Sequence, residues 1–100
     1  MRRVIFHPRA RRDFDEIVDF ISEDNPAQAL SFIDDLEDAC RRRAQFPKAG
    51  KRCDHIAPGL LRFPYKNYVI YYRTKTNGII EIIHVLHSAR GHESIMRNEG

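Results

Sequence analysis

Five side chains in the C-terminal half carry the chemistry this sequence could perform: Arg62, Lys66, Arg73, His87 and Arg90. An imidazole that titrates near neutral pH, set among fixed cations, is the equipment of metal-free RNA cleavage. The imidazole moves the proton, and the cations stabilise a phosphorane-like transition state. The same groups could equally hold an acidic or phosphate-bearing partner without any chemistry. A plainer account also exists: arginines that snorkel over a sheet edge and a hydrogen-bonded histidine at a strand end. No second base and no stacking aromatic follows on the C-terminal tail, which weighs against cleavage. Other chemistries lack their residues. His7, His55, His84, His87 and His92 are scattered, and three residues of strand put His84 and His87 on opposite faces. Cys40 and Cys53 form no CxxC pair, no glycine-rich phosphate loop is present, and Asp34-Asp35 reads as helix surface. Neither a metal nor another cofactor is expected.

The charge of this 100-residue chain is mild overall, +3, but unevenly spread. Residues 1–50 carry nine Lys/Arg against ten Asp/Glu, whereas residues 51–100 carry eight against four. Glu81 is the only acid between Ile56 and Gly91. A basic half on a small domain points to an acidic or polyanionic partner. The expected organisation is one domain over residues 1–100. No apolar run approaches a membrane span, and Met1-Arg2-Arg3 leads into only three apolar residues before Pro8. The expectation is a cytoplasmic protein with reduced thiols and no membrane partner.

The elements that must position these residues are legible from their punctuation. Tyr68-Val69-Ile70-Tyr71-Tyr72 and Ile79 to His87 are strand-like runs separated by Thr76-Asn77-Gly78, a strong hairpin signal. Pro64 should mark a strand end or bulge. Arg3–His7 and Leu60–Phe63 read as shorter strands. Pro8 opens a helix running to about Glu23, with Ala10, Phe14, Ile17 and Ile21 on one face, Val18 widening it, and Asp13, Glu16, Asp19 and Glu23 on the remainder. Asn25-Pro26 caps a second helix reaching about Phe46, with Ala29, Ile33, Leu36, Cys40 and Ala44 on its stripe. Glu37–Arg41 and Asp38–Arg42 are spaced as i,i+4 pairs, and Arg41-Arg42-Arg43 reads as electrostatics at a helix end. Lys48–Gly59 reads as loop, and Glu93–Arg97 as a polar helical turn.

The order is β-α-α-β-β-β. The fold class is α+β: a two-helix hairpin packed on a small antiparallel sheet. The last strand is apolar on both faces, with Ile80, Ile82 and Leu86 expected on one and Ile79, Ile83 and Val85 on the other. Its second face is therefore expected to be covered, a partner being one candidate.

These pieces in this order resemble a known family. Pro8, Ala10, Asp13-Phe14 and Ile17, the junction Asn25-Pro26-Ala27-Gln28-Ala29, Phe46-Pro47 with Gly50, Phe63-Pro64, Tyr68–Arg73 and Val85–Arg90 are similar to the ParE branch of the RelE/ParE superfamily of toxins from bacterial type II toxin–antitoxin systems. Leu61, His84 and Gly91 depart from its commonest pattern. The resemblance implies the RelE/ParE-like fold and a growth-inhibiting toxin neutralised by a ParD-type antitoxin, with operator DNA reached only through the antitoxin. It also implies DNA gyrase as the target of a non-enzymatic, protein-binding poison, with target contacts at Arg62, Tyr72, Arg73, His87 and Arg90. Phe14, Ile17, Val18, Ile21 and Leu36 would be the antitoxin contacts. The alternative it carries is a RelE-like ribonuclease that cuts mRNA on the ribosome, using Arg62, Lys66, Arg73 and His87.

Overall fold

Asn77 and Gly78 take positive φ, 61° and 75°, and return the chain from one long strand into another. These are β4 (Tyr68–Thr74) and β5 (Ile80–His87), and they form the middle of a sheet. The computed structural model describes residues 3–98, and of Asn98 the backbone alone. The remaining elements are β1 (Val4–Phe6), α1 (Pro8–Ser22), α2 (Pro26–Ala44), β2 (Lys51–Arg52), β3 (Leu61–Tyr65) and α3 (His92–Asn98). Strands lie in the order β1-β5-β4-β3-β2. The expected α+β arrangement is present with two refinements. The stretch read as loop contains the two-residue strand β2, and β1 joins β5 in parallel, so the sheet is antiparallel everywhere except at that edge. Pro64 lies inside β3, one residue short of its end and beyond the reach of β2, where its missing N–H breaks no ladder.

Both helices start where their punctuation puts them. The His7 ring accepts from the Arg9 N–H at 3.1 Å, and Asn25 accepts from the Gln28 N–H at 3.1 Å, each just before a proline that needs no donor partner. Arg41 bonds Glu37 at 3.4 Å and Asp38 at 2.8 Å, so Asp38 pairs with Arg41 and not with Arg42. The apolar stripes of α1 and α2 cover one sheet face. Ala10, Ile17, Leu36, Cys40 and Ala44 meet Phe63, Ile70, Tyr72, Ile80, Ile82 and Val85 in a first core. Burial raises the Cys40 thiol to about 12, which removes it as a nucleophile.

The second sheet face is covered by the chain itself. Cys53, Ile56, Ala57 and Leu60 from the segment before β3, and Ile95 and Met96 from α3, pack on Tyr71, Ile83 and Leu86. The sequence-based division of β5 is corrected here: Val85 belongs with Ile80 and Ile82, and Leu86 with Ile83. The cause is a bulge. Tyr72 opposes Ile82 and Tyr71 opposes His84, leaving Ile83 unmatched, so the alternation changes phase after it.

Asp13 also stands corrected. It is buried, not on the solvent side of α1. β1 ends at Phe6, and the bare edge of β5 beyond it would leave an orphan donor. One Asp13 carboxylate oxygen accepts the Val85 N–H at 2.9 Å and bonds His84 Nδ1 at 2.7 Å. Removing an acceptor shared by two buried partners exposes the full cost of leaving them unmet. Asp13→Ala should lower the stability by about 2–4 kcal/mol in urea unfolding, whereas Asp15→Ala on the exposed side should stay within about 0.5 kcal/mol.

Tyr72 anchors the connection out of α2. Its hydroxyl donates to Pro47 O at 2.8 Å and accepts from the Gly50 N–H at 3.1 Å. A Cβ on Gly50 would sit 2.9 Å from Arg62 O and against the Tyr72 ring. Tyr72→Phe should cost about 1–2 kcal/mol and Gly50→Ala more, both read from denaturant midpoints.

Candidate functional site

The cations named from the sequence do not share one surface. β3 and β4 carry Arg62 and Arg73 toward the second face, where Arg62 lies opposite Tyr71 and Arg73 opposite Glu81. Lys66 occupies the tight β3–β4 turn with φ 53°, its amine 5.6 Å from the Phe32 and Tyr65 ring centres. His87 and Arg90 line a separate groove beside α1. Tyr72 belongs to the first core with 0% exposure, so it offers no surface to a target. Leu36 is likewise fully buried against the sheet. Phe14, Ile17 and Ile21 spend most of their apolar surface on the same core, and Phe14 packs on Phe6 at 5.3 Å between ring centres. Of the expected antitoxin contacts, only partly exposed Val18 falls outside that cluster.

Three clefts hold Arg62, Arg73, and His87 with Arg90. On the second face a cleft of about 370 Å³ is lined by Lys51, Arg62, Val69, Ser88 and His92. Toward the other end of β4, a larger one of about 580 Å³ holds Arg73, Lys75, Glu81, His84 and Arg97. The Lys75 amine lies 3.4 Å from Glu81. On the helix side, Ile17, Phe20, Tyr68, Val85, His87 and Arg90 line a groove of about 310 Å³. Phe20 is 71% exposed there, a large apolar ring facing water beside His87 and the Arg90 guanidinium.

The imidazoles decide what these clefts can do. Tyr71 is fully buried, and its hydroxyl is 2.7 Å from His92 Nδ1; His92 Nε2 is 2.7 Å from the His87 carbonyl. A carbonyl only accepts, so His92 Nε2 carries the proton and Nδ1 accepts from Tyr71. Both nitrogens are occupied inside the protein, and the ring acts as a clamp holding the start of α3. Burial pushes the Tyr71 phenol up, while the Arg62 guanidinium bonded to it pulls the other way. In the groove, the Ala89 N–H donates to His87 Nδ1 at 3.1 Å, leaving Nε2–H of the neutral ring as a donor. Tyr68 packs edge-on to His87 at 5.4 Å, and burial raises its phenol. The arrangement presents hydrogen-bond donors and positive charge. Among the described residues no group of three His, Cys, Asp or Glu is placed to hold a metal ion, and no helix is long and apolar enough to cross a membrane.

Sequence reasoning missed Tyr71, His92, Lys51 and Phe20. One signal was available: of the adjacent Tyr71 and Tyr72 only one can face the helices, so the other needs a polar partner on the far side.

The ParE toxin family of the type II toxin–antitoxin system parDE matches residues 4–91. Toxin ParE1 of Mycobacterium tuberculosis, in strains CDC 1551 / Oshkosh and H37Rv, is 30% identical over 86 residues, 85% of this chain and 88% of the relative. A solved structure described as the chromosomal ParDE TA system from P. aeruginosa superposes with a TM-score of 0.71 at 20% identity, covering 87% of this chain and 96% of that one. That likeness shows the fold. The family match over residues 4–91, joined to the M. tuberculosis relatives, shows that the chain belongs to the ParE toxin family of type II toxin–antitoxin systems.

Proposed function

We propose that this ParE toxin acts by binding DNA gyrase, and that a ParD-type antitoxin neutralises it by lying in the groove beside α1. The observation that carries the binding reading is the state of the imidazoles. His92 and His87 both use their accepting nitrogen inside the protein, so neither stands ready as a base beside Arg62 or Arg90. Arg62, Arg73, His87 and Arg90 are then recognition groups. His87 and Arg90 share their groove with Phe20. An antitoxin segment that buries the Phe20 ring would cover the His87 donor and the Arg90 cation a target needs, which couples neutralisation to occlusion.

The second reading, a ribonuclease using Arg62, Lys66, Arg73 and His87, draws support from the cleft that sets Lys51 and Arg62 beside His92. A translating extract separates the two: the binding reading expects no new mRNA ends, and cuts that vanish with Arg62→Ala would overturn it.

Purified gyrase should lose supercoiling activity when the chain is added. Arg90→Ala should raise the half-inhibitory concentration about tenfold while leaving the melting temperature nearly unchanged, since the residue is exposed, and His87→Ala, which also frees the Ala89 N–H, should raise it at least as much. Unaffected supercoiling at saturating chain removes gyrase as the target. Phe20→Ser should weaken antitoxin binding about tenfold, whereas Leu36→Ala should appear as a stability loss of about 2–5 kcal/mol.

A further inference from the structure

The last turn of α2 and the bare edge of β3 enclose a cleft of about 450 Å³ that shares no residue with the groove beside α1. Its floor is apolar: Phe63, Pro64 and Tyr65 from β3, with Phe46 at the rim, 67% exposed. Its charge is of one sign. Arg42 and Arg43 line it, and no acid does among the described residues. The neighbouring Arg41 is held by Glu37 and Asp38 one turn back; no carboxylate of the described residues answers Arg42 or Arg43. Arg43 Cζ lies over the Phe63 ring, 4.6 Å from its centre, and its Nε is buried without a hydrogen-bond partner. The two terminal nitrogens of a guanidinium form an edge that fits a carboxylate with two parallel bonds.

We infer that this cleft is a docking site for an extended acidic segment of a partner protein, whose carboxylate meets Arg43 and Arg42 and whose apolar side chain settles between Phe46 and Phe63. Pro64 faces the open edge without an N–H, so the segment does not add a full strand to the sheet, and side chains lead the recognition. A nucleic-acid strand fits poorly. Only two cations line the cleft, too few to track a run of phosphates, and its floor is apolar. The inference does not depend on gyrase being the target.

The probe is a short fluorescent peptide of Asp and Glu carrying one Phe and one Leu, titrated against the full chain by anisotropy. Binding should weaken about tenfold when the peptide's Phe and Leu become Ser, and should weaken with added salt. Arg42→Gln and Phe46→Ser, both at exposed positions, and Arg43→Gln should each weaken it about tenfold, with Arg41→Gln unchanged. Circular dichroism melts check that each variant folds, and antitoxin binding by the same variants reports separately on the groove beside α1. The inference is overturned if the peptide fails to bind, or if the variants bind it as the parent chain does. It is also overturned if a single-stranded oligonucleotide binds there in the peptide's place, or if Phe46→Ser abolishes a concentration-dependent dimer, which would make the patch a contact between copies.

Discussion

The carboxylate of Asp13 closes the edge of β5 that β1 leaves uncovered. β1 supplies three residues of pairing to β5, and beyond Phe6 the edge of a strand buried on both sides has no strand beside it among the described residues. α1 begins at that point and carries Asp13 onto the Val85 N–H and the His84 ring. A buried charge is tolerable only when its oxygens are met, and here the partners are a main-chain donor and an imidazole. The bond also fixes where α1 lies on the sheet, and hence where Ile17 and Phe20 stand relative to Tyr68 and His87. The groove proposed for the antitoxin is a consequence of that placement.

The bulge at Ile83 does comparable work for the other face. By shifting the alternation of β5 it gives Val85 to the helices, and it leaves Ile83 and Leu86 to be covered by the segment 53–60 and by α3. A seven-residue helix has too few internal hydrogen bonds to persist alone. α3 is held by the His92 clamp and by Ile95 and Met96 on the apolar floor. Its ion pairs, His55 with Glu93 at 3.3 Å and Glu93 with Arg97 at 3.7 Å, are exposed and add little. His92, held by this clamp, is the α3 residue that lines the cleft with Arg62 and Lys51.

Local signals carried the architecture into view from the sequence alone. Asn77-Gly78 fixed the central hairpin because positive φ selects those residues, and Asn25-Pro26 fixed the helix junction because a cap and a donorless residue belong together there. What stayed hidden were features whose cause lies far along the chain. Asp13 looks like a surface acid until its partners, His84 and Val85, are brought back across more than seventy residues. The bulge sits in an unbroken apolar run from Ile82 to Ile83, where no change of residue type marks a change of face. β2 was invisible because two exposed residues carry no periodicity. The cation cluster failed for a related reason: Arg62, Arg73 and His87 are spaced for strands, but which face each takes depends on register and on that bulge.

Under the proposed reading, the two histidines beside the accessible cations serve recognition and not chemistry. To serve as a base, His92 would have to give up the Tyr71 hydroxyl, and with it part of the clamp that keeps α3 over Ile83 and Leu86. His87 would have to release the Ala89 N–H, which shapes the turn leading to Arg90. Each step trades a made hydrogen bond for an exposed one and loosens the segment that positions the neighbouring cation. As they stand, both rings keep their lone pair inward. His87 turns a donor toward its groove, where Arg90 adds positive charge and Phe20 an apolar platform. A surface of donors, cations and one exposed aromatic ring is complementary to carboxylates and carbonyls on another protein, and it asks nothing of a proton.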